Sequence, residues 1–156
     1  MKYIILSMLV FLVTLSAQEL RIKANKFSAD EQKGISTFEG NVRIKKSMDE
    51  LNASKVIIYT DKRHKPIKYI ADGGVSFYIN TKDGAIYQGH AQKVLFKPQI
   101  KEYYFYNDVY LSQVDNTKVI IGNEVVLKLV EGKAYATGKD KEPVIMIFNI
   151  PESEEK

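Results

Sequence analysis

The sequence contains no cysteine, no tryptophan and only two histidines, His64 and His90, in 156 residues. Without cysteine, disulfide scaffolds, thiolate zinc sites, redox dithiols and cysteine nucleophiles are excluded together. Two imidazoles leave little for a metal cage, and no metal site is expected. Also missing are a Gly-rich phosphate loop, a serine nucleophile elbow and a His-Glu-x-x-His helix, so no catalytic residue and no cofactor is expected. Beyond the first seventeen residues no window carries a helical stripe of useful length. The net charge of +4 is modest, which makes a nucleic-acid partner a poor fit.

What is present begins with a short positive start, Met1-Lys2-Tyr3, followed by the apolar run Ile4 to Leu15 and the small pair Ser16-Ala17. That order predicts a secretory signal peptide over residues 1–17, cleaved after Ser16 or Ala17. The run is shorter than the roughly 20 residues a spanning helix needs, and no cysteine follows it to take a lipid anchor. Residues 18–150 are then expected to form one domain and 151–156 a polar tail. Removing Lys2 brings the charge to +3, and much of it falls in polar clusters.

The rest of the chain alternates. Val42-Arg43-Ile44-Lys45, Val75-Ser76-Phe77-Tyr78-Ile79 and Val125-Val126-Leu127-Lys128-Leu129 place apolar residues at every second position, the period of a half-buried strand. Turn-type clusters separate them at Lys45 to Glu50, Asp61 to Pro66, Asn80 to Gly84, Lys97 to Gln99, Asp115 to Thr117 and Lys139 to Pro143. The fold class is therefore all-β and antiparallel.

Two degenerate signatures alternate along the chain. One is a small residue, any residue, a charge and an apolar residue: Ala24-Asn25-Lys26-Phe27, Ala53-Ser54-Lys55-Val56, Ala91-Gln92-Lys93-Val94 and Gly122-Asn123-Glu124-Val125. The other is a turn-type pair before Val: Gly40-Asn41-Val42, Gly73-Gly74-Val75 and Asn107-Asp108-Val109. The spacing from Val42 to Val75 is 33 residues and from Val75 to Val109 is 34. Such a repeat predicts stacked units sharing one core, and two signatures in alternation predict two facing sheets of short strands, open at both ends.

The inward positions are Val42, Ile44, Val56, Ile58, Val75, Phe77, Val94, Phe96, Val109, Leu111, Val125 and Leu127. Packed tightly, this row is a plain core; with the sheets splayed it becomes an apolar trough suited to acyl chains. The outermost strands leave unpaired backbone, which is either blunted or used for strand addition. Ile22, Ala24 and Phe27 on the first strand, and Ile145 and Ile147 on the last, are the candidate assembly residues.

The stretches Phe38-Glu39-Gly40-Asn41-Val42, Ala71-Asp72-Gly73-Gly74-Val75 and Val119-Ile120-Ile121-Gly122-Asn123-Glu124-Val125, behind a signal-like start, resemble the LptA/OstA-like periplasmic lipopolysaccharide transport family. The resemblance implies a β-jellyroll whose groove shields lipid A acyl chains. It also implies bridging between an inner-membrane transporter and an outer-membrane translocon by strand addition to LptC-like and LptD-like proteins, with head-to-tail self-association. Two other readings stand beside it: a membrane-tethered LptC-like component, and an exported polysaccharide-binding module. Glu50-Leu51-Asn52-Ala53-Ser54 also carries an Asn-x-Ser sequon.

Overall fold

A computed structural model describes residues 18–114, 118–150 and 152; the expected signal peptide, the turn cluster at 115–117 and most of the tail lie outside them. Ten strands run in chain order: β1 (Leu20–Lys23), β2 (Lys26–Asp30), β3 (Ile35–Lys46), β4 (Asp49–Thr60), β5 (Pro66–Asn80), β6 (Ile86–Lys97), β7 (Glu102–Gln113), β8 (Lys118–Lys128), β9 (Lys133–Thr137) and β10 (Ile145–Phe148). They form one antiparallel sheet in which β3 to β8 follow each other as a meander. β1 and β2 share the outer side of β3, while β9 and β10 share the outer side of β8, so each edge is a single strand broken in the middle.

All-β antiparallel architecture is what the alternation predicts, but the central strands are long, 11 to 15 residues each. The two signatures also have a different meaning from the one expected. They do not sort strands into two sheets. Every central pairing shifts register in mid-strand, and the extra residue always belongs to β3, β5 or β7. These are the strands with the turn-type pair, whose residues take left-handed backbone: Gly40 and Asn41 at φ 81 and 45°, Gly73 and Gly74 at 81 and 80°, Asn107 and Asp108 at 64 and 50°. A bulge bends its strand and increases the local twist. The partners β4, β6 and β8 carry the small residue where the backbones crowd; a Cβ on Gly73 would come within 2.6 Å of the Ser54 Cβ. Three bulged segments in line, shifting five strand pairings, fold the sheet across its middle, so the two facing layers are halves of one sheet.

Phe77, beyond the fold line on β5, packs its ring at a tilt, 4.6 Å from that of Phe105, before the fold line on β7. These strands are not neighbours in the sheet, so the contact crosses between the layers. Val56, Phe105 and Val125 reach 0 % exposure in the core they close. Turns also appear at Glu31 to Gly34 and Val130 to Gly132, where no polar cluster was singled out; Gly34 at φ 65° and Gly132 at 64° supply the reversals.

Candidate functional site

The inner face is built in rows that cross the sheet from edge to edge. Nearest the fold line, register aligns Phe27, Phe38, Val56, Ala71, Val94, Phe105, Val125 and Ala136 on one half. On the other half, Ile22, Ile44, Leu51, Phe77, Gly89, Leu111, Ile120 and Met146 align one step closer to the mouth. All twelve positions read from sequence as inward lie on this face: ten are buried, and Ile44 and Phe96 are half-buried. Gly89 has no side chain between Phe77 and Leu111, and a Cβ there would overlap the Tyr110 carbonyl.

Polarity rises toward the mouth. Asp49 accepts a hydrogen bond from the Asn80 backbone N–H at 2.7 Å. Tyr103 lies largely buried nearby, stacked at 4.2 Å on Phe96, and burial pushes its phenol well above the ordinary tyrosine range, with Asp49 and Tyr69 adding to the shift. Burial also raises Tyr69. At the rim Lys101 is held below the ordinary lysine range, first by the adjoining Lys82 ammonium, then by slight desolvation and by Lys46. Three turns from both halves therefore bring like charges together at the mouth.

At the two edges the inner rows end in apolar groups that are half-buried at Ile22 and exposed at Phe27, Met146 and Phe148. Ile22 faces inward opposite Ile44, Phe27 covers Phe38 at 5.0 Å while 60 % exposed, and Ala24 sits at the break between β1 and β2. On β10 the phase differs from the residues singled out. Ile145 and Ile147 align with Ile121 and Val119 on the outer face, whereas Met146 and Phe148 occupy the inner phase and are 48 and 53 % exposed. The four residues of β10 are all apolar and set no phase of their own, so only register across β8 shows this.

The outer face holds two features that alternation within single strands cannot reveal. Glu39, Lys55, Asp72, Lys93, Tyr106 and Glu124 form a ladder of mostly alternating charge, with Lys55 and Glu39 3.2 Å apart. Beside it Ile57, Ile70, Leu95, Tyr104, Val126 and Tyr135 form an apolar row. The ammonium groups of Lys68, Lys97 and Lys128 lie over the rings of Tyr59, Tyr104 and Tyr135 at 4.2, 5.0 and 6.0 Å, covering the row with their alkyl stems. Tyr104 also donates to Glu102. Tyr103 and Phe105 thus belong to the inner face, and Tyr104 and Tyr106 to the outer one. Asn52 lies in mid-strand with its amide bonded to Arg43, Glu50 and Ser76, so the sequon is not on a loop.

Residues 21–133 match the sequence family described as "LptA/(LptD N-terminal domain) LPS transport protein". The chain belongs to this family. This LptA-family chain is 28 % identical over 122 residues to the lipopolysaccharide export system protein LptA of Escherichia coli K12 and to that of Shigella flexneri. The match covers 76 % of this chain but 64 % of each relative, so it spans a little under two thirds of their length. The crystal structure of LptH from Pseudomonas aeruginosa, described as the LptA homologous periplasmic component of a lipopolysaccharide transport device, superposes with a TM-score of 0.73. That superposition covers 85 % of this chain and 96 % of LptH at 13 % identity, and it shows a shared fold. Among the described residues of the LptA-family chain no helix is long and apolar enough to cross a membrane, and no cluster of metal-ligating side chains occurs.

Proposed function

We propose that the chain is an exported, periplasmic carrier and bridge for lipopolysaccharide, with acyl chains received between the halves of the folded sheet. The observation that carries this is the continuity of the inner rows, which run through the core and finish exposed at both edges, at Phe27 on one side and at Met146 and Phe148 on the other. A packed core alone has no need of apolar ends. Family membership supports the same reading.

Burial supplies the driving force, at about 0.8 kcal/mol for each methylene removed from water. Lys46, Lys82 and Lys101 at the mouth suit the phosphates of lipid A, because an anion there relieves their mutual repulsion. Strand addition at the broken edges would join the chain to LptC-like and LptD-like partners and to further copies. No residue acts as a catalyst in this scheme, and direction comes from work done elsewhere on the path.

Photocrosslinking from Phe96 and from its outward neighbour Leu95 tests the carrier. Lipopolysaccharide should label from Phe96 and not from Leu95. Equal labelling, or none from either position, rejects the inner face as the acyl path.

A further inference from the structure

A depression lies outside the folded sheet, along its fold line. It measures about 520 Å3 and crosses β3 to β6, a volume within the range of small-molecule sites. Its floor is the backbone of Val42, Ala53, Val75 and Ala91, whose side chains point into the core. Arg43, Asn52, Ser76 and His90 form one wall in register, and Asn41, Ser54 and Gln92 belong to the other. With strands about 4.8 Å apart, four strands give a trough roughly 14 Å long.

Apart from the Arg43 guanidinium at one end, the walls carry amides, hydroxyls and an imidazole, groups that donate and accept hydrogen bonds without selecting charge. The side chains of Asn41, Gln92 and His90 make no hydrogen bond among the described residues. Asn52 is fixed by Arg43 Nε at 3.1 Å and by Glu50 and Ser76 at 3.3 and 3.5 Å, which sets its orientation before any ligand arrives. The His90 imidazole stacks on Tyr110 at 5.6 Å and gives the far end a flat apolar surface. The near end shares Arg43 with a second depression, lined by Arg21, Lys23, Arg43 and Lys45. These four cations face only Glu19 and Glu50, so positive charge is in excess there.

We propose that this trough binds a short acidic oligosaccharide, its acidic group toward Arg21, Lys23 and Lys45 and its neutral sugars toward Ser76 and His90. Strand spacing places a polar side chain at intervals close to the span of one pyranose ring. A peptide is a poorer occupant, because the floor's backbone groups are already engaged in the sheet ladder and none is left for strand addition. The proposal does not rest on the acyl-chain reading.

The test is an amide-shift titration of the chain with two probes: the oligosaccharide released from lipopolysaccharide by removing its lipid, and neutral maltotriose. The released oligosaccharide should shift Asn52, Ser76 and Gln92 with a dissociation constant of order 1 mM. Maltotriose and the Lys23→Glu variant should each bind about tenfold more weakly, and added salt should narrow the gap to maltotriose. Ser76→Phe, which fills the trough from its solvent side, should abolish the shifts while Phe96 still crosslinks to acyl chains. No shifts, or shifts that survive Ser76→Phe, overturn the proposal. Equal binding of maltotriose overturns the acidic end. Loss of Phe96 crosslinking with intact oligosaccharide shifts would reject the carrier reading and leave the trough standing.

Discussion

On the proposed acyl path, the two halves meet at Phe77 and Phe105. Phe105→Ala perturbs that point most directly. The Phe105 side chain is 0 % exposed and its ring lies 4.6 Å from that of Phe77. Removing it leaves a cavity and should cost about 3–5 kcal/mol. At about 3 °C per kcal/mol for a chain of this size, the melting temperature should fall by roughly 10–15 °C. The vacated space is apolar and suits a run of about four methylenes, whose burial returns about 3 kcal/mol. Decanoate added below its micelle threshold should therefore raise the melting temperature of Phe105→Ala by about 10 °C more than that of the unaltered chain. Thermal denaturation followed by circular dichroism reads both shifts. Should Phe105→Ala prove too unstable to fold, Phe105→Leu tests the same point with a smaller cavity. Equal decanoate shifts in variant and parent would refute the idea that chains pass between these two rings.

Three further outcomes follow from the geometry. Gly89→Ala should cost about 3 kcal/mol in urea unfolding, because its Cβ would overlap the Tyr110 carbonyl and push β6 from β7; a cost below about 1 kcal/mol would mean that the pairing there is slack. Tyr103 has a raised phenol pKa in the fold, so the stability it contributes is complete below about pH 10 and is lost as the pH climbs through the folded value. Urea midpoints should thus fall steeply on the alkaline side, and Tyr103→Phe should flatten that limb; an unchanged slope would assign the loss to other groups. Lys101, followed by NMR titration, should ionise below the ordinary lysine range and move up in Lys82→Met, and a Lys101 indifferent to Lys82 would separate the two turns in solution.

Sequence alternation was enough to place Val42, Val75, Val94 and Val125 on the inner face, because a period of two is a direct consequence of strand geometry. It was not enough to count layers. The signatures at Gly73-Gly74 and Ala53-Ser54 are local, yet their meaning is relational: one strand carries an extra residue and its neighbour makes room for it. Read along the chain they look like two kinds of strand, and only pairing shows them as two sides of one bulge. The inner phase of Met146 and Phe148 escapes sequence reading for a related reason, since the four residues of β10 are all apolar and have no phase of their own. The outer apolar row of Ile57, Ile70 and Leu95 and the trough beside Ser76 and His90 arise from registration across strands far apart in sequence.

The line of bulges reaches both margins of the sheet, and it leaves them unlike. Along the path from β1 to β10 there are eight strands, counting each broken edge once. Members with the extra residue alternate with members without it. The first margin, interrupted only at Ala24-Asn25, is of the plain kind; the last, interrupted by the hairpin between Gly138 and Val144, is of the kind with extra residues. An even count gives the molecule a parity. When the last margin of one copy meets the first margin of another, both the strand direction and the alternation continue as though the sheet had not ended. When two like margins meet, the alternation fails at the seam, and residues beyond the fold line lose step with their neighbours. The crease that shapes the interior thus also makes the two margins a matched pair.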